Sequence, residues 1–297
     1  MNKEEMEKLK QAGKIAAEAK KFARTIIKKD TPLVEIANRI ESKIEELGGK
    51  PAFPVNLSIN EVAAHYTPSY NDEKLAHGLL KIDIGAHIDG YIADTAFSLD
   101  LEDNEENKNL IKAAKEGLKA GLETIKINTQ LKEIGKAIES KIKSLNAIPI
   151  QNLSGHSLGK KDVHAGITIP NYDNSSPFEL PEGTYAIEPF ATTSDGAGSI
   201  KEGKPSGIYK LEKVNNVRDR TAREILKYII EEYETLPFCS RWLYNKFGAK
   251  ALIALKRIEE AGILHSYPQL IEKAGKNVAQ AENTVIITDK DKIITTE

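Results

Sequence analysis

Cysteine is almost missing from this chain. Cys239 is the only one in 297 residues, so no internal disulfide can staple the fold, which suits a reducing compartment. No cysteine or histidine lies near it in sequence, and it reads as a structural thiol rather than a nucleophile. Long apolar runs are missing too: no stretch reaches the ~18 apolar residues that a membrane-spanning helix needs. Residues 1–29 are charged and amphipathic, without the apolar segment of a secretory signal. A charge excess of either sign is also lacking. Lys and Arg total 42 against 44 Asp and Glu, which leaves no electrostatic footprint for nucleic acid or an anionic membrane. The expectation is a cytoplasmic protein that binds neither membrane nor DNA. With 40% apolar and 29% charged residues, the chain is ordinary globular material, long enough for one large domain or two.

What is present is a duplication. Residues 31–48 (TPLVEIANRIESKIEELG) align without a gap on 129–146 (TQLKEIGKAIESKIKSLN), with ten of eighteen positions identical. Leu33, Ile36, Ile40, Ile44 and Leu47 keep the three-and-four spacing of an amphipathic helix. Thr31 and Thr129 are expected as N-caps, with Pro32 in the first helical turn. Each copy follows another amphipathic helix, about 4–28 and 105–125, and precedes an extended segment containing Asn-Leu-Ser. A histidine comes after each segment, His65 and His164. A period of about 100 residues is too long for a solenoid and suits a duplicated half-domain.

Strands are expected over 81–99, with Asp89-Gly90 as a hairpin turn, and as single strands over 183–194 and 279–288. Helical patterns at 218–233 and 248–261, joined by a connection over 235–247, read as an insertion into the second half at about 210–270. The hairpin turn places Asp83 opposite Ala96 and Asp94 opposite Gly85, so both acids point to one face. Diagonal neighbours in such a ladder are about 7–8 Å apart, and two like charges that close repel unless something positive lies between them. The second half supplies Glu188 and Glu282 in matching places, and His156 adds one imidazole. Four carboxylates and a histidine favour a pair of harder divalent ions such as Mn, Fe or Co over structural zinc. Such a pair suits hydrolysis of an amide.

The motifs AFPVNLS (52–58), AAHYTPS (63–69), KIDIGAHIDGYIADTAF (81–97), NLSGHSLG (152–159), VHAG (163–166), YAIEPF (185–190) and VAQAEN (278–283) cover nearly the whole chain. Together they resemble the methionine aminopeptidases, most nearly the archaeal-like type 2 branch. The resemblance implies an α+β pita-bread fold with two pseudo-symmetric halves, about 1–100 and 101–297. These form a single catalytic domain, 1–297, carrying a helical, winged-helix-like insertion at about 210–270. It implies removal of the initiator methionine from nascent polypeptides with a small second residue, using two divalent ions, Co, Mn or Fe, with Zn admissible. Asp83 and Asp94 would hold one ion, and His156, Glu188 and Glu282 would complete the pair, Asp94 and Glu282 bridging. Glu188 would also move the proton of the attacking water, and His65 and His164 would contact the substrate near the scissile peptide. Phe53 and Val163 would line the methionine pocket, with Tyr267 at its rim. A transient ribosome contact and a monomeric state are further expectations.

The chain departs from its relatives at Ala281, Asn283 and Ser154, where they often carry Phe, His and Asn, and these changes are expected to reshape the pocket. One alternative is an Xaa-Pro aminopeptidase or prolidase of the same fold, which usually carries an additional N-terminal domain. Another is a non-catalytic, ribosome- or RNA-binding relative, which would lose ligands and gain basic segments. Here all five ligand positions are occupied, and Lys160-Lys161 is the one short basic pair near the site.

Overall fold

Twice along the chain a pair of helices is followed by antiparallel strands, in a computed structural model that describes all 297 residues. The first pair is α1 (Lys3–Ile26) and α2 (Leu33–Glu46), followed by β1 (Lys50–Pro51), β2 (Asn56–Ile59), β3 (Val62–Ala64), β4 (Leu79–Ile88) and β5 (Tyr91–Asp100). The second is α3 (Glu105–Thr124) and α4 (Leu131–Lys143), followed by β6 (Ala147–Pro149), β7 (Ser154–Leu158), β8 (Thr168–Pro170), β9 (Gly183–Ile187) and β10 (Phe190–Thr193). Then come β11 (Ile200–Leu211), α5 (Arg220–Glu232), β12 (Phe238–Cys239), α6 (Ser240–Phe247), α7 (Lys250–Glu260) and β13 (Leu264–Glu272). The chain closes with β14 (Val278–Gln280), β15 (Asn283–Ile287) and β16 (Lys292–Ile294).

α1 starts where Asn2 and Glu5 exchange side-chain bonds with each other's backbone N–H, satisfying two donors that a helix start leaves orphaned. The duplicated helices start differently from expectation. Pro32 and Gln130 occupy the cap positions and give no side-chain cap, so Thr31 and Thr129 lie one residue too early to serve. The orphan donors are met by neighbouring backbone instead: Leu33 N–H donates to the Lys74 carbonyl at 2.9 Å and Leu131 N–H to the Phe178 carbonyl at 3.0 Å. A passing chain in extended pairing has replaced the local cap in both copies.

α1 and α2 bury Ile15, Ile36, Ile40 and Ile44 against Leu57, Ile82 and Ile84. α3 and α4 bury Leu110, Leu118, Ile134 and Ile138 against Tyr185, Ile187 and Val285. Each such side chain contributes roughly 1.5–3 kcal/mol on leaving water. Residues 217–264 build a third core of their own, with Ile225, Ile229, Phe238, Leu243 and Ile258.

β4 and β5 pair in the expected register, Asp83 facing Ala96 and Gly85 facing Asp94. The strands expected at 183–194 and 279–288 are each broken in two. β9 and β10 join different sheets on either side of Glu188-Pro189, and β15 and β14 part at Ala281-Glu282. Proline has no N–H for the ladder, which accounts for the first break. At the second, β5 runs alongside: Glu282 N–H donates to the Ala96 carbonyl at 2.9 Å, and Ser98 Oγ donates to the Gln280 carbonyl at 2.7 Å. The long β11–β13 ladder was not foreseen, because Gly203, Pro205 and Gly207 interrupt its pattern and it carries register shifts. The 235–247 connection holds a further helix, α6, hidden by its lack of a side-chain cap.

The copies differ informatively at Ala37 and Gly135, which align. A Cβ at Gly135 would lie 2.0 Å from the Tyr172 carbonyl oxygen, a backbone atom that cannot rotate away. Helix propensity alone favours alanine by about 1 kcal/mol; overpacking costs about 1–3 kcal/mol. Gly135→Ala should therefore lower Tm by roughly 2 °C or more, and a raised Tm in thermal melts would show that the carbonyl yields.

Candidate metal centre and substrate cavity

One cavity of about 310 Å³ collects all ten residues expected to bind metal or substrate: Phe53, His65, Asp83, Asp94, His156, Val163, His164, Glu188, Tyr267 and Glu282 line it. Asp83 and Asp94 project from facing strands of the β4–β5 hairpin. Asp94 is fixed at its backbone, where Thr284 Oγ accepts from its N–H at 2.7 Å and donates to its carbonyl at 2.8 Å. Glu188 and Glu282 sit at the two strand breaks, in residues that belong to neither flanking strand. His156, on β7, brings Nε2 to 3.3 Å from a Glu188 oxygen and 3.9 Å from an Asp94 oxygen.

The electrostatics of this cluster are unfavourable by themselves. Burial, then the Glu188 charge, pushes Asp83 up to about 7. Burial pushes Glu188 up to about 8. Asp94 and Glu282 lie well above the usual carboxylate range, through burial first and neighbouring negative charge second. Gln280 opposes this by donating Nε2 to Asp83 at 3.4 Å and to Glu188 at 3.3 Å. Burial lowers the His156 imidazole to about 4, so its ring is neutral and its nitrogen lone pair available.

These residues fit a divalent cation. Asp94, His156 and Glu282 each offer a ligand atom, and the three atoms lie within 4.8 Å of one another. Asp83 Oδ1, Asp94 Oδ1 and both Glu282 oxygens are buried and accept no hydrogen bond. Buried oxygens of that kind are costly unless something positive meets them.

The remaining expected residues form the cavity walls. His65 holds a left-handed backbone, φ 61°, uncommon for a residue with a Cβ and typical of functional positions. Its ring stands edge-on to Tyr267, centroids 5.4 Å apart, and the His164 ring stands edge-on to His156 at 4.5 Å. Burial, then the His164 charge, lowers His65 to about 4. Phe53 lies flat over Gly85, where a Cβ would meet its ring at 2.2 Å. Several lining residues carry no role in the sequence reading, among them Asn56, inside the AFPVNLS motif, and Ile208 and Pro237, outside every motif. Asn56 pairs with Asp83 across the ladder and keeps a buried, unpartnered Oδ1; Ile208 and Pro237 come from the insertion region. Only their position in the fold reveals them. Gln280, inside the VAQAEN motif, was legible but unassigned. Of the three departures, Ser154 lines the cavity, whereas Ala281 packs into the second core and Asn283 accepts from Lys20 Nζ at 3.0 Å.

A sequence profile of metallopeptidase family M24 matches residues 7–289. The methionine aminopeptidase of Pyrococcus horikoshii is 45% identical over 298 residues, spanning 99% of this chain and 100% of that protein. Among solved structures, a methionine aminopeptidase from Thermotoga maritima superposes with a TM-score of 0.72 at 22% identity, covering 100% and 98% of the two chains. A thermophilic Arx1 superposes at 0.82 with 16% identity, covering 99% and 91%.

Because the folded-state carboxylates have raised pKa values, the metal-free protein retains protons that the unfolded chain has shed. Stability from this source is complete below about pH 4 and is lost as pH rises through about 7 to 8. Protein held in chelator should therefore melt lower at pH 8 than at pH 5.5, by roughly 5 °C or more. Added Mn²⁺ should raise Tm most at pH 8, where it no longer competes with protons. A Tm indifferent to the metal at both pH values would count against a cation at this cluster.

Proposed function

The chain belongs to metallopeptidase family M24, and from that premise we propose that it removes the N-terminal methionine from newly made polypeptides by hydrolysis in this cavity. It is a hydrolase that uses divalent metal, with the two-half pita-bread fold. The observation that carries the reading is the convergence of four carboxylates and one histidine in a cavity whose other walls include Phe53, Val163, Phe190, Ile208 and Tyr267.

The roles assigned here are those the resemblance implies, and the shared cavity supports them. Asp83, Asp94, His156, Glu188 and Glu282 would hold two divalent ions, Asp94 and Glu282 being the most enclosed of the four acids. Mn, Fe and Co suit this oxygen-rich set, and Zn is admissible. Bound divalent ions acidify water and stabilise negative charge developing at the scissile carbonyl. Glu188 accepts the water proton and returns it to the leaving amine, a general acid–base role. Its bond from Gln280 supports that role, since a base must be held in place. His65 and His164 contact the scissile peptide as neutral rings. Phe53 and Val163 receive the methionine side chain, Tyr267 stands at the rim, and the confined space favours a small second residue.

We further read the chain as one catalytic domain, 1–297, with halves about 1–100 and 101–297 and a winged-helix-like insertion at about 210–270. The separate core at 217–264 supports that division. We place the enzyme in the cytoplasm, acting as a monomer on chains leaving the ribosome. No helix is long and apolar enough to cross a membrane, and the single cysteine suits a reducing compartment.

Metal-reconstituted protein should cleave a Met-Ala-Ser peptide and bind about two ions by titration calorimetry. Turnover confined to X-Pro peptides would overturn the substrate assignment in favour of a prolidase-like activity. Glu188→Gln should lower kcat by roughly 10²–10⁴ with Tm little changed; wild-type turnover would remove Glu188 from its role.

A further inference from the structure

The largest fully buried side chain in the molecule lies outside the cavity. Arg241, on α6, is 1% exposed. Its guanidinium makes two parallel bonds to Glu41 of α2, Nη1 to Oε2 at 2.7 Å and Nη2 to Oε1 at 2.8 Å. Nη1 also donates to Asn38 Oδ1 at 2.6 Å, and Nε donates to the Pro68 carbonyl at 3.0 Å. Glu41 in turn accepts from the Val55 N–H at 3.1 Å and from Trp242 Nε1 at 2.8 Å. The ion pair therefore grips two chain segments besides its own helices, one at Val55 and one at Pro68.

Those segments are walls of the cavity. Phe53 and Asn56 line it beside Val55, and His65 lines it three residues before Pro68. They are also tied to each other: Thr67 Oγ donates to the Val55 carbonyl at 2.9 Å and the Leu57 N–H to the Tyr66 carbonyl at 2.6 Å. One turn beyond Arg241, Tyr244 stacks on Tyr70 with ring centroids 3.5 Å apart, so α6 holds the outgoing end of the His65 segment as well. His65 itself keeps its left-handed backbone, a conformation that persists only when its surroundings over-determine it. A buried ion pair is a weak source of net stability compared with apolar side chains of the same volume. Its planar fork is directional, and direction is what a strained loop needs.

We propose that Arg241, oriented by Glu41, is a positioning residue for His65: helix α6 of the insertion fixes the backbone that aims this imidazole into the cavity. The inference rests on the reading of His65 as a substrate contact.

The test uses full-length, metal-loaded protein and a Met-Ala-Ser peptide, with bound metal measured for every variant. Arg241→Lys keeps the charge but loses the fork and the Nε donor. The double variant Glu41→Met/Arg241→Met removes the pair without leaving a lone buried charge. Each is made in the wild-type and in a His65→Ala background. His65→Ala should itself lower kcat by about tenfold or more. Arg241→Lys and the double variant should each cost about tenfold in kcat at unchanged metal content, with KM moved less than roughly threefold. In the His65→Ala background the same changes should cost less than about twofold. Equal losses in both backgrounds would overturn the proposal, since the pair would then act on the enzyme as a whole. Wild-type kcat in either folded variant would overturn it too. Full turnover by His65→Ala would remove the substrate-contact reading and the positioning role together, an outcome distinct from additive losses.

Discussion

Mutual repulsion among carboxylates at the centre of the molecule is the constraint around which the rest is arranged. Asp83, Asp94, Glu188 and Glu282 point into one small volume, and several of their oxygens meet no donor. Burial makes ionisation of all four costly, and neighbouring negative charge adds to that at Asp83, Asp94 and Glu282. A fold selected for stability alone would separate or replace them, because unpaired buried charge is among the most expensive things a protein can hold. Such a cluster persists when a cation supplies the missing partner, and the neutral His156 beside it adds a ligand without adding repulsion.

Holding the acids in place against that repulsion requires backbone that cannot give way. β5 meets this by lying beside β14 and β15, with bonds from Asp94, Ala96 and Ser98 to Thr284, Glu282 and Gln280. Two helix-backed sheets are thereby joined along the line of the acids. Behind them Lys20 donates to Thr95 Oγ1 at 3.0 Å, Asn283 Oδ1 at 3.0 Å and the Thr296 carbonyl at 2.5 Å. Its ammonium tightens the layer from the side away from the cavity. The acids of the first half ride on an unbroken hairpin, whereas those of the second sit where strands end. The same chemistry has been reached through two local geometries.

Much of this was readable in advance, for reasons that can be named. The register of β4 and β5 follows from Asp89-Gly90, because a two-residue turn sets every pair beyond it. The helix pairs follow from apolar spacing, and the duplication shows itself in ten shared positions over eighteen residues. What failed was set by distant partners. Thr31 and Thr129 look like caps, yet the helix starts bond to backbone at Lys74 and Phe178, which no local window contains. The breaks at Glu188 and Glu282 were missed because the strand halves on either side pair in different sheets, and α6 because its anchor, Glu41, lies 200 positions away. Among the site residues, those to which a motif gave a role were legible, whereas Asn56, though inside AFPVNLS, and Ile208 and Pro237, outside every motif, were not. Their place at the cavity depends on packing between elements.

The departures from pseudo-symmetry carry the specificity. Two equivalent halves can supply four acids but only a symmetric cleft, which has no reason to prefer one end of a peptide. The cavity here draws Phe53 and His65 from the first half of the chain, Val163 and His164 from the second, and Ile208, Pro237 and Tyr267 from in and beside the insertion. The insertion has no counterpart in the first half, and it closes one side of the acidic centre with apolar and aromatic surface. An apolar wall on one side and charge on the other orient a chain end bearing an amine and an apolar side chain. Removing the insertion would leave the four acids on their strands while taking Tyr267's surroundings and the Arg241 contact away from His65. We read metal binding and substrate discrimination as separable in this architecture, the duplicated strands serving the first and the insertion the second.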